Sequence, residues 1–188
     1  MQLQAVCQVW SIREVRAFGC DPERRRQFCA DMERLLGCPI HPADSPEQAV
    51  RAAGILITIT TSKGPVFDGR LVEPDQHLNV AASNALQKRE MMDDEMIRRA
   101  DHILVDQLED AHIKLGDLVG PVSRGIIRWE LMHELGEVVC GKISGRKRPN
   151  EVTRFNSNGL AIEDVAVAQK VLERARPEGA ASEVQPFM

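Results

Sequence analysis

The chain predicts an α/β fold built on a parallel sheet. Three observations carry that prediction. Short apolar runs alternate with amphipathic stretches along most of the chain, the rhythm of strand–helix–strand crossovers. Gly54-Ile55-Leu56-Ile57-Thr58-Ile59-Thr60 is β-branched and almost continuously apolar, as a strand covered on both faces should be. Helix-opening chemistry follows the strand-like runs rather than interrupting them.

The elements follow in order. Residues 2–9 read as the later part of a helix that feeds a strand at Val15-Arg16-Ala17-Phe18. Asp21-Pro22-Glu23 supplies an N-cap, a proline in the first turn and an acid beside the helix dipole, so a helix runs from there to about Leu36, where Gly37 stops it. A short extended piece spans 39–41. Ser45-Pro46-Glu47-Gln48 repeats the capping chemistry and opens a helix to Ala53. After the 54–60 strand comes a Gly/Pro-rich loop, then a strand at His77-Leu78-Asn79-Val80-Ala81. A helix around 92–99, a strand at Ile103-Leu104-Val105 and a helix around 129–139, ended by Gly141, come next. Val152-Thr153-Arg154-Phe155 is a last strand. A long terminal helix spans 159–176, with Leu160, Ile162, Val165, Val167, Ala168, Val171 and Leu172 as its apolar positions, and 177–188 is a flexible tail. Sheets that hold dinucleotides open with a strand and a G-x-G-x-x-G/A turn. This sequence contains no such motif, and its fold is expected to begin inside the first β-α-β unit.

Composition narrows the function. At 188 residues the chain is large enough for one domain to bury its own core. Its net charge is −4, and aromatics are 4% with no Tyr, which argues against a phosphate-neutralising or base-stacking surface. The basic runs Arg24-Arg25-Arg26 and Arg146-Lys147-Arg148 read as solvated surface. The five cysteines are odd in number and none are spaced as CxxC, so reduced thiols in a cytoplasmic protein are expected, with no structural zinc. Neither a membrane span nor a secretory signal is recognisable. No nucleic-acid or membrane partner is expected.

In parallel sheets ligands gather at the carboxyl ends of the strands. That directs attention to residues 19–21, 60–62, 81–84, Asp106 and 156–159. His133 and Glu137 are four apart on an expected helix, but no third ligand accompanies them, so no metal site is expected. Cys20 has no activating base beside it.

Several segments resemble the ornithine cyclodeaminase/mu-crystallin family. They are Thr60-Thr61-Ser62 with Pro65-Val66, then Pro74-Asp75-Gln76-His77-Leu78-Asn79, then Asp94-Glu95 with Arg98-Arg99-Ala100-Asp101 and Val105-Asp106. Gly116-Asp117-Leu118, Glu134-Leu135-Gly136-Glu137-Val138 and Gly141-Lys142 continue the pattern. Glu151-Val152-Thr153-Arg154-Phe155-Asn156-Ser157 and Gly159-Leu160-Ala161-Ile162-Glu163-Asp164 close it. The resemblance implies a Rossmann-like parallel sheet lacking its first strand and glycine-rich turn, with a long C-terminal helix. It implies an incomplete NAD(P)-binding domain over 1–176 and no counterpart of the family's substrate and dimerisation domain. The chain is expected to be either a fragment or a product that begins late.

The same resemblance implies roles for individual residues. Thr60, Ala81, Ala82, Ser83, Lys88 and Ser157 correspond to cofactor contacts, and Asn158 to a substrate contact. Asn84 stands where family cyclodeaminases carry a catalytic Asp. An amide cannot accept a proton as a carboxylate can, so general-base chemistry is in doubt there, while an imine or water could still be oriented. Each residue also has a plainer reading: Thr60 or Asn84 as a turn residue, Lys88 as a surface lysine, Ser157 or Asn158 as a helix cap. The cofactor is NAD or NADP. Gly19 occupies the place where a ribose-binding acid is usual, Asp21 reads as a cap, and Arg24 or Arg25 could reach a 2′-phosphate.

The expected activity is that of an NAD(P)-dependent ornithine cyclodeaminase relative, with hydride transfer between an amino acid and its imine and release of ammonia. Alternatives are an amino-acid dehydrogenase or cyclic-imine reductase, a non-catalytic mu-crystallin-like cofactor binder, and an inactive remnant. The expected partners are a small amino-acid or cyclic-imine substrate and, for a full-length form, a second copy in a homodimer. The chain alone is expected to show no turnover with ornithine or proline-like imines.

Overall fold

Capping chemistry sets the first elements in the computed structural model, which describes residues 1–81, 92–180 and 182. Helix α1 (Gln2–Val9) leads to strand β1 (Val15–Ala17). The Asp21 carboxylate accepts the Glu23 and Arg24 amides at 2.9 and 3.1 Å and starts α2 (Pro22–Leu36). Gly37, at φ 68°, ends that helix in the left-handed conformation a glycine adopts without steric cost. Strand β2 (Ile40–Pro42) follows, then α3 (Pro46–Val50), capped by Ser45. This helix is shorter than its sequence pattern suggests, because the chain turns through a positive φ at Ala52 before entering β3 (Ile55–Ile59).

Beyond β3 a 3-10 turn at Gly69–Leu71 precedes β4 (His77–Ala81). Then come α4 (Asp94–Arg99), β5 (His102–Val105), α5 (Leu108–Lys114), α6 (Gly116–Ser123), β6 (Met132–Glu134), α7 (Leu135–Val139), β7 (Thr153–Ser157) and α8 (Ala161–Ala175). The helix expected around 129–139 is corrected. A 3-10 turn at Trp129–Leu131 runs into β6, and only residues 135–139 are helical. Met132 points into the core from a sheet position, and pairing of β6 with β5 overrides the helix-like spacing of the apolar residues.

Every strand pairing is parallel. Strands β1 and β2 form one ladder, and a second sheet runs β3-β4-β7-β5-β6. With the first strand of the doubly wound order 3-2-1-4-5-6 left out of the count, β1 and β2 are neighbours as its strands 2 and 3 are, and β3 and β4 as its strands 4 and 5 are. Among the described residues nothing occupies the first place of that order. Residues 1–158 make one compact unit and residues 159–188 another. In the second, α8 carries apolar Ile162, Val165, Val167, Val171 and Leu172 at exposed positions.

The core of the first unit lies on one face of the larger sheet. Leu56, Leu78, Val80, Ile103, Val105 and Met132 cluster there with Met92, Met96, Ile97 and Leu118. The opposite face is less covered: Ile55, Ile57, Ala81, Leu104 and Phe155 are half-buried and Ile59 is exposed. The expectation that β3 is covered on both faces is therefore not met among the described residues. Its continuous apolar run records what the strand can bury, not what lies over it.

The basic runs also differ from a freely solvated surface. Arg25 is 12% exposed, lies 5.5 Å over the Phe18 ring and donates to the Gly19 carbonyl at 3.1 Å. Arg146 pairs with Asp75 and reaches the Gln76 carbonyl at 3.3 Å.

Glu151 organises the entry to β7. Its Oε2 accepts the Lys147 and Arg148 amides at 2.7 and 3.1 Å and lies 3.1 Å from His102 Nε2, while Oε1 accepts from Arg148 Nε at 3.0 Å. These donors, the Lys147 amide foremost, hold the carboxyl down at about 2, against an ordinary 4.5. A carboxylate depressed in the folded state contributes stability above its unfolded pKa, and that contribution is lost as pH falls from 4.5 towards 2. The thermal midpoint should therefore fall in that interval. Glu151→Gln should start several degrees lower at neutral pH and show a flatter acid limb. An unchanged acid limb in the variant would assign the pH dependence elsewhere.

Candidate active site at the strand carboxyl ends

The site is built by register. Ala81 of β4 pairs with Ile59 of β3 on one side and with Ser157 of β7 on the other. Ile59, Ala81 and Ser157 form one row, and Thr60, the residue after Ile59, lies one step past that row at the carboxyl end of the sheet. Parallel ladders without a bulge place equivalent ends together, and β3, β4 and β7 supply three neighbouring ends. Ala81, Thr60 and Ser157 are half-buried, and Asn158 is exposed.

Thr60 performs the turn role as well. Its hydroxyl oxygen accepts the Ser62 amide at 3.1 Å, and the Ser62 hydroxyl donates to the Gly64 carbonyl at 2.8 Å. This leaves the Thr60 O–H proton available to an outside acceptor. Ser157 is the last residue of β7, and the cap position of α8 is Leu160, with no side-chain cap bond. Ser157 and Asn158 are therefore not the helix caps that one reading of the sequence made them. Asn84, Ala82, Ser83 and Lys88 lie outside the described residues.

Asp106, just past β5, accepts the Asn158 amide at 2.7 Å and so fixes the chain as it leaves β7. Glu134 at the end of β6 accepts the Leu108 amide at 2.9 Å and belongs to a capping box with Glu137. Sequence reasoning pointed to Asp106 by its place after a strand but assigned it no task. The task appears only when β5 and β7 lie side by side.

Arg24 is solvent-exposed beside Asp21, at 3.5 Å, whereas Arg25 is turned inward. His133 sits on β6 and Glu137 on α7, 3.6 Å apart, rather than on one helix. No cluster of three metal-ligating side chains occurs among the described residues. Cys20 is exposed and unbonded to another cysteine. Among the described residues no helix is long and apolar enough to cross a membrane.

A parallel, doubly wound sheet with small and hydroxyl-bearing residues at adjacent strand ends defines a Rossmann-type protein. The chain belongs to the ornithine cyclodeaminase/mu-crystallin family, whose model matches residues 1–179. It is 36% identical over 188 residues to an alanine dehydrogenase of Archaeoglobus fulgidus, covering 99% of this chain and 56% of that protein. It is 30% identical over 183 residues to a delta(1)-pyrroline-2-carboxylate reductase of Bacillus cereus, covering 97% of this chain and 56% of the relative. The solved structure of Thermococcus litoralis delta(1)-pyrroline-2-carboxylate reductase, in complex with NADH and L-proline, superposes with a TM-score of 0.93 at 31% identity. That match covers 97% of this chain and 56% of the other. The chain thus spans a little over half the length of these relatives.

Proposed function

We propose that this chain is the cofactor-holding part of an NAD(P)-dependent oxidoreductase that interconverts small amino acids and their imines. The observation that carries this reading is the gathering of Thr60, Ala81 and Ser157 at the carboxyl ends of three adjacent strands. The complex of the Thermococcus litoralis relative with NADH and L-proline supports it. NAD(H), when bound, supplies or accepts the hydride.

The chain's own residues bind and orient. Thr60 donates its free O–H to a phosphate or ribose oxygen while its lone pair stays with Ser62. Ala81, with Ala82 and Ser83, lets the cofactor approach the backbone closely. Ser157 stands on the nicotinamide side and Lys88 offers a cationic contact. Asn158, held through Asp106, faces the substrate. Asn84 can orient an imine or a water but cannot take up a proton as a carboxylate does, which favours dehydrogenation and imine reduction over ammonia-releasing cyclisation. Alanine dehydrogenase and pyrroline-carboxylate reductase among the relatives support that preference. A homodimer for the full-length form, a cytoplasmic location and the extent of the cofactor domain over 1–176 belong to the same reading.

Two-dimensional NMR of the chain titrated with NADH tests it. Shifts should concentrate at residues 60–62, 81 and 157–158. Thr60→Val combined with Ser157→Ala removes two hydrogen-bonding groups and should weaken binding roughly tenfold. Shifts confined elsewhere, or undiminished binding by the double variant, would overturn the assignment.

A further inference from the structure

Two of the five cysteines meet. Cys7 lies in the last turn of α1, and Cys38 directly follows the left-handed Gly37 that ends α2. Both are half-buried, and both line a cleft of about 330 Å³ with Trp10, Leu36 and Gly37. The two side chains are near enough for the Cys38 sulfur to raise the Cys7 thiol. Cys29 is buried, and Cys20 and Cys140 are exposed, each free. We propose that Cys7 and Cys38 form a reactive thiol pair that closes into an intramolecular disulfide on meeting a low-molecular-weight disulfide such as oxidised glutathione.

The chemistry follows from the contact. Burial pushes the Cys7 thiol up, and the neighbouring Cys38 sulfur adds to the effect. Burial disfavours the Cys7 thiolate, so the opening attack is assigned to Cys38. Cys38, as thiolate, displaces one glutathione thiolate and forms a mixed disulfide. Cys7 then loses its proton and attacks the Cys38 sulfur, expelling the second glutathione thiolate. Two protein thiols are oxidised, one glutathione disulfide is reduced to two thiols, and the new S–S bond ties α1 to the end of α2. The cleft admits the small reagent, and the held geometry makes the second step intramolecular, with a high effective concentration.

Oxidised glutathione added to the folded chain tests the pair. Cys7 and Cys38 fall in separate tryptic peptides, residues 1–13 and 35–51, each with a single cysteine. A non-reducing digest should yield these two peptides cross-linked, exceeding any other pairing by at least about tenfold. Cys20→Ser should leave the cross-link in place. Cys7→Ser should abolish it and leave a glutathione adduct on Cys38, detected by intact mass. In urea the pairing should scatter over all five cysteines. A folded chain that yields no 7–38 cross-link, or the same scattered pattern as the unfolded one, would overturn the proposal.

Discussion

Gly69→Ala should destabilise the first unit by about 3 kcal/mol. Gly69 opens the 3-10 turn beyond β3, and its amide donates to Asp93 Oδ2 at 2.8 Å. The other oxygen of the same carboxylate accepts the Met96 amide at 2.8 Å and caps α4. A methyl group at position 69 would collide with the Met96 amide nitrogen and with Asp93 Oδ1, and would stand 2.8 Å from Met96 Cα. The Met96 atoms are backbone, and the Asp93 oxygen is tied to the Met96 amide. Relief requires α4 to move away and the clamp to break. Overpacking costs about 1–3 kcal/mol, and each lost hydrogen bond adds about 0.5–1.5 kcal/mol. Urea titration should show a lower midpoint with an unchanged slope. Asp93→Ala should lose the cap without the collision, at about 1–2 kcal/mol. An alanine variant within about 0.5 kcal/mol of wild type would mean that α4 yields to the methyl group at little cost.

Arg154→Met combined with Asp117→Asn, which removes both buried charges, should act in the opposite direction and stabilise the chain by about 1–3 kcal/mol. Arg154 lies on the central strand β7, paired in register with Leu78 and Ile103, and is wholly buried. Its Nε donates to Asn156 Oδ1 at 2.5 Å, whereas Nη1 and Nη2 have no hydrogen-bond partner among the described residues. Desolvation pushes the guanidinium well below its ordinary value, to about 10, opposed in part by the charge of Asp117. A cation with a lowered folded pKa destabilises the fold at every pH below that value, and the penalty fades as pH rises through about 10. Methionine fills a similar volume without the desolvation cost, and the asparagine oxygen at position 117 can keep the bond from the Met92 amide without a buried charge. Arg154→Ala should instead destabilise, because it trades the charge for a cavity. If the double variant proved less stable by more than about 1 kcal/mol, the guanidinium would have an acceptor that offsets its burial.

Much of the architecture was legible because its signals are local. Asp21 and Ser45 announce α2 and α3 through their own bonds, and Gly37 ends α2 by its backbone freedom. The parallel class followed from alternation, and attention to Thr60, Ala81 and Ser157 from the rule that ligands sit at strand ends. What escaped was decided at a distance. Strand β6 is three residues of mixed polarity between a 3-10 turn and a helix, so its spacing looked helical until β5 supplied a ladder. Helices α5 and α6 were not read: α5 is seven residues without a side-chain cap, and Gly116, Gly120 and Pro121 interrupt the helical pattern of α6. The sequence places Arg154 in the last strand and Asn156 just past it, with no local sign that either is buried. Only the central position of β7 buries them. Likewise, the link from Asp106 to Asn158 crosses between strands far apart in sequence.

The separation of β1-β2 from β3-β4-β7-β5-β6 has a bearing on cooperativity. Each ladder is closed within itself, and among the described residues no strand transmits hydrogen bonding from one to the other. Side chains carry part of that coupling instead. Arg16 of β1 donates to the Gln48 and Arg51 carbonyls at 2.9 and 2.6 Å, at either end of the segment that leads towards β3. Two exposed contacts couple less tightly than a shared strand would. The small ladder can therefore open while the large one stays closed, and the two parts of the nucleotide fold behave as semi-independent foldons rather than as one all-or-none sheet.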